Sequence, residues 1–373
     1  MPVRRRNFVT TLLASSGSIL STNRSIANSN SRARSVSKRW RMPDEGEPHK
    51  RTWMSFGASQ LIWGRKLVRE VRKNLAAIAQ AIAKHEPVVV CVRPAELEMA
   101  KSHFVDLTNI QFLQCPLNDI WIRDFGAVYV LNESGDKAAV DFNFNGWGEK
   151  QDFEKDTAVA TLMANRSEVE RLETELCLEG GGIEVDGKGT AIITESCVLN
   201  RNRNPQWTKQ DCEEELQRIL GIKKVIWLPG VRGADITDGH TDFYARFTCP
   251  GSVGAHFDSD KSSPENELTL RHLEILRKAT DSRGEKLKVT TLEAPSVVRP
   301  RFDNEDFCAG YINFYVCNDA VIAPEFGDRR TDAAAKEKLM DSFPGREIVM
   351  LNIDGIAAGG GGIHCVTQQE PRA

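Results

Sequence analysis

The chain contains no C-x-x-C pair, although nine of its 373 residues are cysteines. Nor does it pair cysteines with a histidine pair at zinc-binding spacing, so the common zinc and dithiol frameworks are excluded. Cysteines such as Cys91, inside an apolar stretch, read as buried neutral thiols. No apolar run reaches the ~20 residues that a membrane-spanning helix needs. Asp and Glu are missing from residues 1–43, which carry nine Lys or Arg. The whole chain has a net charge of −3 and this segment +9, so the remainder carries −12. An acidic body attracts small cations and repels nucleic acid; ordinary solubility accounts for the same charge. Residue-level repeats are also absent, so any repeat architecture shows only in the order of elements.

The basic start reads as a targeting segment rather than part of the fold. Arg5-Arg6-Asn7-Phe8-Val9, the apolar Leu12-Leu13-Ala14 to Ile19-Leu20 and the small residues Ser25-Ile26-Ala27 match a twin-arginine export signal. This predicts an exported, periplasmic protein; an organellar transit peptide or a cytoplasmic location are the alternatives. Residues 28–38 are rich in Ser and Arg and read as a disordered linker. The division predicted is therefore 1–38 for signal and linker and 39–373 for one catalytic domain.

What the chain does have is a cysteine at the end of a glycine run, Gly359-Gly360-Gly361-Gly362-Ile363-His364-Cys365. Glycines let backbone and ligand approach closely, and a loop leaves the sulfur open to reaction and its acidity open to tuning. Three more segments carry polar groups: Trp121-Ile122-Arg123-Asp124-Phe125-Gly126, Glu179-Gly180-Gly181-Gly182-Ile183 and Asp238-Gly239-His240-Thr241-Asp242. Alone, each reads as a turn, an ion pair or a structural histidine. Together with Cys365 they supply a thiol, an imidazole and three carboxylates. His49, His85, His103, His256 and His272 read as solvated or structural. Strand-like alternation would turn His364 away from its neighbour Cys365.

Such groups suit a planar cation. A guanidinium is resonance-stabilised, and its central carbon becomes electrophilic when a site holds its plane and balances its charge. Asp124 and Asp242 can accept paired N–H bonds from it, and holding it beside the nucleophile lowers the barrier. Cys365 would attack, His240 would carry the proton and Glu179 would orient His240. A protease-like cysteine amidase fits less well, because carboxylates repel a developing oxyanion. A silent binding protein and a metal hydrolase using His240 and the aspartates are further alternatives.

In order and spacing these motifs, with Met42-Pro43, Glu47-Pro48-His49, Arg51-Thr52-Trp53 and Gly310-Tyr311-Ile312-Asn313, resemble the agmatine deiminase and bacterial peptidylarginine deiminase family of guanidino-group-modifying enzymes. The resemblance runs from about Trp40 onward. It implies an α/β fold, a five-bladed α/β propeller of ββαβ repeats, with the site at its centre. It further implies a small cationic guanidino substrate, agmatine or a peptidyl arginine, with no metal or cofactor. Trp121, Asp235, Asn313 and Gly362 become expected substrate-binding residues, and a homodimer an expected assembly. Where relatives place an acid four positions before the histidine, this chain has Ile236, with Asp235 beside it.

Periodicity gives the elements independently. Leu67, Val71, Leu75, Ile78 and Ile82 predict an amphipathic helix over 65–85, followed by a strand over 87–92. The same pattern returns as a helix over 211–220 with a strand over 225–228, then 265–278 with 287–292, and 331–340 with 347–351. A fifth helix is expected over 153–164.

Overall fold

The computed structural model describes residues 39–373; the signal-like segment and its linker lie outside the described residues. The described chain forms five separate sheets of three or four strands. Each is built on one plan, visible in the strands Ala245–Cys249 and Ser252–Phe257, the helix Pro264–Lys278 and the strand Lys288–Glu293. The first two strands pair antiparallel, and the helix carries the chain back so that the third pairs parallel to the second. Such a crossover is what a parallel pair requires.

Val128–Asn132 and Lys137–Asp141 are completed in the same way by Glu170–Glu173. Ile183–Val185 and Thr190–Thr194 are completed by Lys224–Leu228, and Tyr315–Cys317 and Ala320–Glu325 by Glu347–Asn352. In the remaining sheet the hairpin partner comes from the far end of the sequence. Thr367–Pro371 pairs antiparallel with His49–Ser55, which pairs parallel with Val88–Val92. Strands from opposite ends of the described chain, His49–Ser55 and Thr367–Pro371, thereby share one sheet.

The helices form where the sequence places both an apolar face and a cap. Thr208 and Asp211 make a reciprocal capping box at the start of Lys209–Leu220, and Cys212, Leu216, Ile219 and Leu220 form its buried face. The predicted 65–85 helix spans Gln60–Ile82, but Gly64 leaves helical geometry (φ 65°, ψ 169°), so the regular helix begins beyond it. The helix expected over 153–164 is Val159–Ser167, preceded by a 3₁₀ turn at Asp156–Ala158. Among the described residues no helix is long and apolar enough to cross a membrane.

Candidate active site

Each sheet contributes one segment to a single cleft, and in every case that segment leads directly into the first strand of the hairpin. Asp124 precedes Val128–Asn132, Glu179 precedes Ile183–Val185, and His240 and Asp242 precede Ala245–Cys249. Asn313 precedes Tyr315–Cys317, and Cys365 precedes Thr367–Pro371. Residues 241 apart in the chain, Asp124 and Cys365, thus come together because each lies on a connection between consecutive sheets.

Cys365 sits on a short 3₁₀ turn, His364–Val366. Its Sγ lies 3.7 Å from Asp242 Oδ2 and 3.5 Å from Asn313 Nδ2. Burial, and then the carboxylates of Asp242 and Asp124, push its thiol well above the usual range. Asn313 Oδ1 accepts from His364 N at 2.9 Å and fixes the turn. Gly362 makes room for that contact, since a Cβ there would stand 2.2 Å from Asn313 Oδ1.

His240 is bracketed by two acids, with Glu179 Oε2 at 3.3 Å from Nε2 and Asp124 Oδ1 at 3.7 Å from Nδ1. Burial alone would favour the neutral ring, yet Asp124, the Cys197 thiol and Glu179 raise its pKa well above the ordinary value. Glu179 is itself held at both oxygens by Arg203 Nε, at 2.7 and 3.0 Å. Burial opposes its charge, but Arg203 and His240 hold its carboxyl down at about 2.

Asp124 accepts from Trp147 Nε1 at 2.9 Å and from Gly181 N at 3.1 Å. Burial raises its carboxyl to about 6 despite the pull of His240. Asp242 Oδ2 pairs with His364 Nδ1 at 2.7 Å, whereas Oδ1 is buried with no hydrogen-bond partner. A buried, orphaned carboxylate oxygen is costly unless a donor arrives. It leaves the site with one unused carboxylate acceptor, while Oδ2 is the oxygen that stands beside the sulfur.

Trp121 forms a wall rather than a polar contact. Its ring lies against Gly361, and its Nε1 donates to Asp119 Oδ2 at 2.9 Å, while Trp63 Nε1 donates to Asp119 Oδ1 at 2.7 Å. Gln151 adds a third bond to Asp119 at 3.0 Å.

Asp235 does not join this set. Its Oδ1 accepts from the backbone and hydroxyl of Thr237, at 2.6 and 2.5 Å, closing a turn of its own loop. A short side chain with a donor two residues ahead satisfies itself locally, so Asp235 acts one step away: Thr237 Oγ1 in turn receives His240 N at 3.1 Å.

His364 also departs from expectation. The 3₁₀ turn replaces strand alternation, and the ring bridges Asp242 Oδ2 and Glu45 Oε2, at 2.7 and 3.0 Å. His49, read as solvated or structural, is buried and bonds Glu86 at 3.0 Å, in keeping with the structural reading. Sequence reasoning passed over Trp147, Arg203, Cys197 and Glu45. Of these, Trp147 within Asn145-Gly146-Trp147-Gly148 offered a visible signal, and Glu45, far away in sequence, offered none.

Glu179, Cys197 and His240 each place a ligand atom within 4.8 Å of the others, a spacing a metal could bridge. A dication there would face the buried Arg203 guanidinium that already occupies Glu179, so the donor set suits proton transfer better than metal binding.

Fold and cleft together define the class of guanidino-group-modifying hydrolases. The pattern of the Porphyromonas-type peptidyl-arginine deiminase family matches residues 41–371, and the chain belongs to that family. The agmatine deiminase of Medicago truncatula is 35% identical over 363 residues, covering 88% of this chain and 96% of the relative. That of Pseudomonas aeruginosa is 35% identical over 354 residues, covering 89% and 95%. A solved structure of Enterococcus faecalis agmatine deiminase is similar with a TM-score of 0.83 at 34% identity, covering 90% of this chain and 96% of the other.

Proposed function

We propose that the protein hydrolyses agmatine to N-carbamoylputrescine and ammonia through a covalent thiouronium on Cys365. The observation that carries this is a buried cluster in which the Cys365 thiol lies 3.7 Å from the Asp242 carboxylate, whose other oxygen has no partner, with Asp124 acting on the same sulfur. A cation entering it satisfies Asp242 Oδ1 and relieves the repulsion that keeps the thiol protonated. The Cys365 thiol then releases its proton to solvent, His240 stays protonated, and the thiolate attacks the central carbon. His240 gives its proton to the departing nitrogen, and ammonia leaves. The neutral ring takes a proton from the water that attacks the thiouronium. Collapse returns thiolate and imidazolium and frees the O-protonated ureido product, whose extra proton passes to solvent, where the ammonia released earlier becomes ammonium.

The five sheets are read as blades of a five-bladed α/β propeller around this cleft. One site-bearing connection per sheet and the pairing of Thr367–Pro371 with the distant His49–Ser55 support that reading. Peptidyl arginine is the rival substrate, but enclosure favours a small one: Cys365, Asp124, His240 and Asp242 are 5%, 6%, 1% and 0% exposed. Ammonia release from agmatine, free arginine and a C-terminal arginyl peptide tests the choice; turnover of the peptide alone refutes agmatine. Export by the twin-arginine-like segment is part of the proposal, and mass spectrometry of the native N-terminus checks it.

A further inference from the structure

The segment from Asn145 to Gln151 runs across the cleft in an unusual conformation. Gly146, Trp147, Gly148 and Glu149 have φ of 68°, 57°, 84° and 61°, four left-handed residues in succession. Two of them are not glycine, and left-handed backbone is unfavourable for residues with a Cβ unless the surroundings hold it. Three side chains do hold it. Trp147 reaches down to Asp124 Oδ2 at 2.9 Å, Gln151 reaches Asp119 Oδ2 at 3.0 Å, and Lys150 crosses to the loop that carries His240. Lys150 Nζ donates to Asp238 Oδ2 at 2.6 Å and to the Ile236 carbonyl at 3.0 Å.

The three contacts differ in depth. Trp147 and Asp124 are buried, whereas the Lys150 side chain keeps 31% of its surface exposed, at the rim. Its anchor is rigid: Asp238 also receives Arg203 Nη1 at 2.8 Å, Asn202 Nδ2 at 3.2 Å and Gly233 N at 2.8 Å. Arg203 continues inward to Glu179, which meets His240. The rim contact therefore joins two segments that each touch the reacting groups, one through Asp124 and the other through His240.

We propose that residues 145–151 are a strap over the cleft and that Lys150 is its clasp, the residue that restricts the enzyme to small free guanidines and excludes arginine within a peptide. This rests on the deiminase reading and adds its size limit. Lys150 is 31% exposed and its partner Asp238 buried; salt screens the pair at its exposed end, and the clasp opens there for a small substrate. A peptide backbone, which must remain in the mouth, would hold it open throughout turnover.

The test replaces Lys150 with Met, which keeps the length and apolar stem of the side chain but removes its donors, and with Arg, which can restore them. kcat/KM is measured for agmatine and for an arginyl tripeptide. The expected result is a peptide-to-agmatine ratio that rises roughly ten-fold or more in Lys150→Met, equivalent to ~1.4 kcal/mol of discrimination, and returns toward the original in Lys150→Arg. An unchanged ratio overturns the clasp, as does an original enzyme that turns over the peptide as well as agmatine. A second readout needs no turnover: labelling of Cys365, followed by mass spectrometry, with iodoacetamide and with a bulky maleimide. Lys150→Met should selectively accelerate the bulky reagent, and equal acceleration of both, or of neither, also overturns the proposal. If no guanidine is hydrolysed by any variant, the deiminase reading fails while the labelling still decides the clasp.

Discussion

His364 Nδ1 lies 2.7 Å from Asp242 Oδ2, and that bond turns one carboxylate oxygen to structural use while the other stays buried and unpartnered. The same carboxylate is therefore both tethered and open. Burial opposes its charge, but His364 and then His240 and Arg246 keep it ionised, below the usual range. Asp242→Asn keeps the shape and an acceptor for His364 but removes the charge that meets the substrate. Losing one partner of a buried charged pair costs ~2–5 kcal/mol, so kcat/KM for agmatine should fall between about 30-fold and several thousand-fold. Steady-state ammonia release reads this, and a loss under three-fold would contradict a guanidinium contact at Asp242.

The acid side of the pH profile should belong to Asp124. Its carboxyl stands at about 6 because it is buried, so falling pH protonates it in the free enzyme and abolishes its attraction for a cation. kcat/KM reports the free enzyme and kcat the complex. The expectation is an acid limb in kcat/KM near 6 and a limb in kcat at lower pH, since the bound cation favours the carboxylate. Coincident limbs would show that the substrate does not sit against Asp124.

The basic side should respond to Glu179. This carboxylate, with Asp124 and Cys197, raises His240 against the effect of burial, and proton donation to the leaving nitrogen is lost as pH rises through the His240 pKa. Glu179→Gln removes one source of that rise, so the basic limb of kcat should move to lower pH. Gln still offers Arg203 an acceptor, but its neutral amide leaves a buried guanidinium less well paired, a fault that typically costs ~3–5 kcal/mol when a partner is removed outright. A lower melting temperature should accompany the shift, and lost stability with an unmoved basic limb would make Glu179 purely structural.

Cys365 offers a prediction independent of turnover. Its thiol is pushed well above the usual range by burial and by two carboxylates, so a neutral alkylating agent should react slowly at neutral pH. A haloacetamidine carries its own positive charge to Asp124 and Asp242 and should modify Cys365 at least about ten-fold faster than iodoacetamide relative to a free thiol, a bias on the order of one close ion pair at intermediate dielectric. Equal relative rates would mean that the acids do not act on the sulfur.

Much of this cleft was legible in the sequence because the chemistry lies on short connections rich in glycine. Cys365, His240, Asp124, Asp242 and Glu179 each stand in a local pattern, and the helices announced themselves through faces such as Val71, Leu75 and Ile78. The hairpins were less visible. Strands such as Thr190–Thr194 are buried at every position, so they show no alternation for a period of two to reveal. The tether of His364 to Glu45 spans 319 positions and follows from sheet closure, not from local sequence. Asp235 was harder to place for the opposite reason: a partner, Thr237, lies within two residues and engages its Oδ1 locally.

Gly181 tests whether the space between these groups is where reaction occurs. Its φ is not positive, so alanine is allowed by the backbone, and only the surroundings oppose it. A Cβ at this position would stand 2.7 Å from His240 Nδ1, 2.9 Å from Asp124 Oδ1 and 3.2 Å from Asp242 Oδ2. Those three atoms belong to different side chains from two sheets, so the methyl would occupy the junction they share. These atoms must give way by a few tenths of an ångström to admit it; since misplacing a reacting group by about 1 Å costs about 100-fold in rate, such shifts cost on the order of 10-fold. Gly181→Ala should therefore lower kcat by about that factor while the fold persists, because overpacking by one methyl typically costs only ~1–3 kcal/mol. Circular dichroism and thermal melting report the fold, and ammonia release reports the chemistry. A folded Gly181→Ala enzyme with nearly full kcat would place the reacting carbon somewhere other than between His240, Asp124 and Asp242.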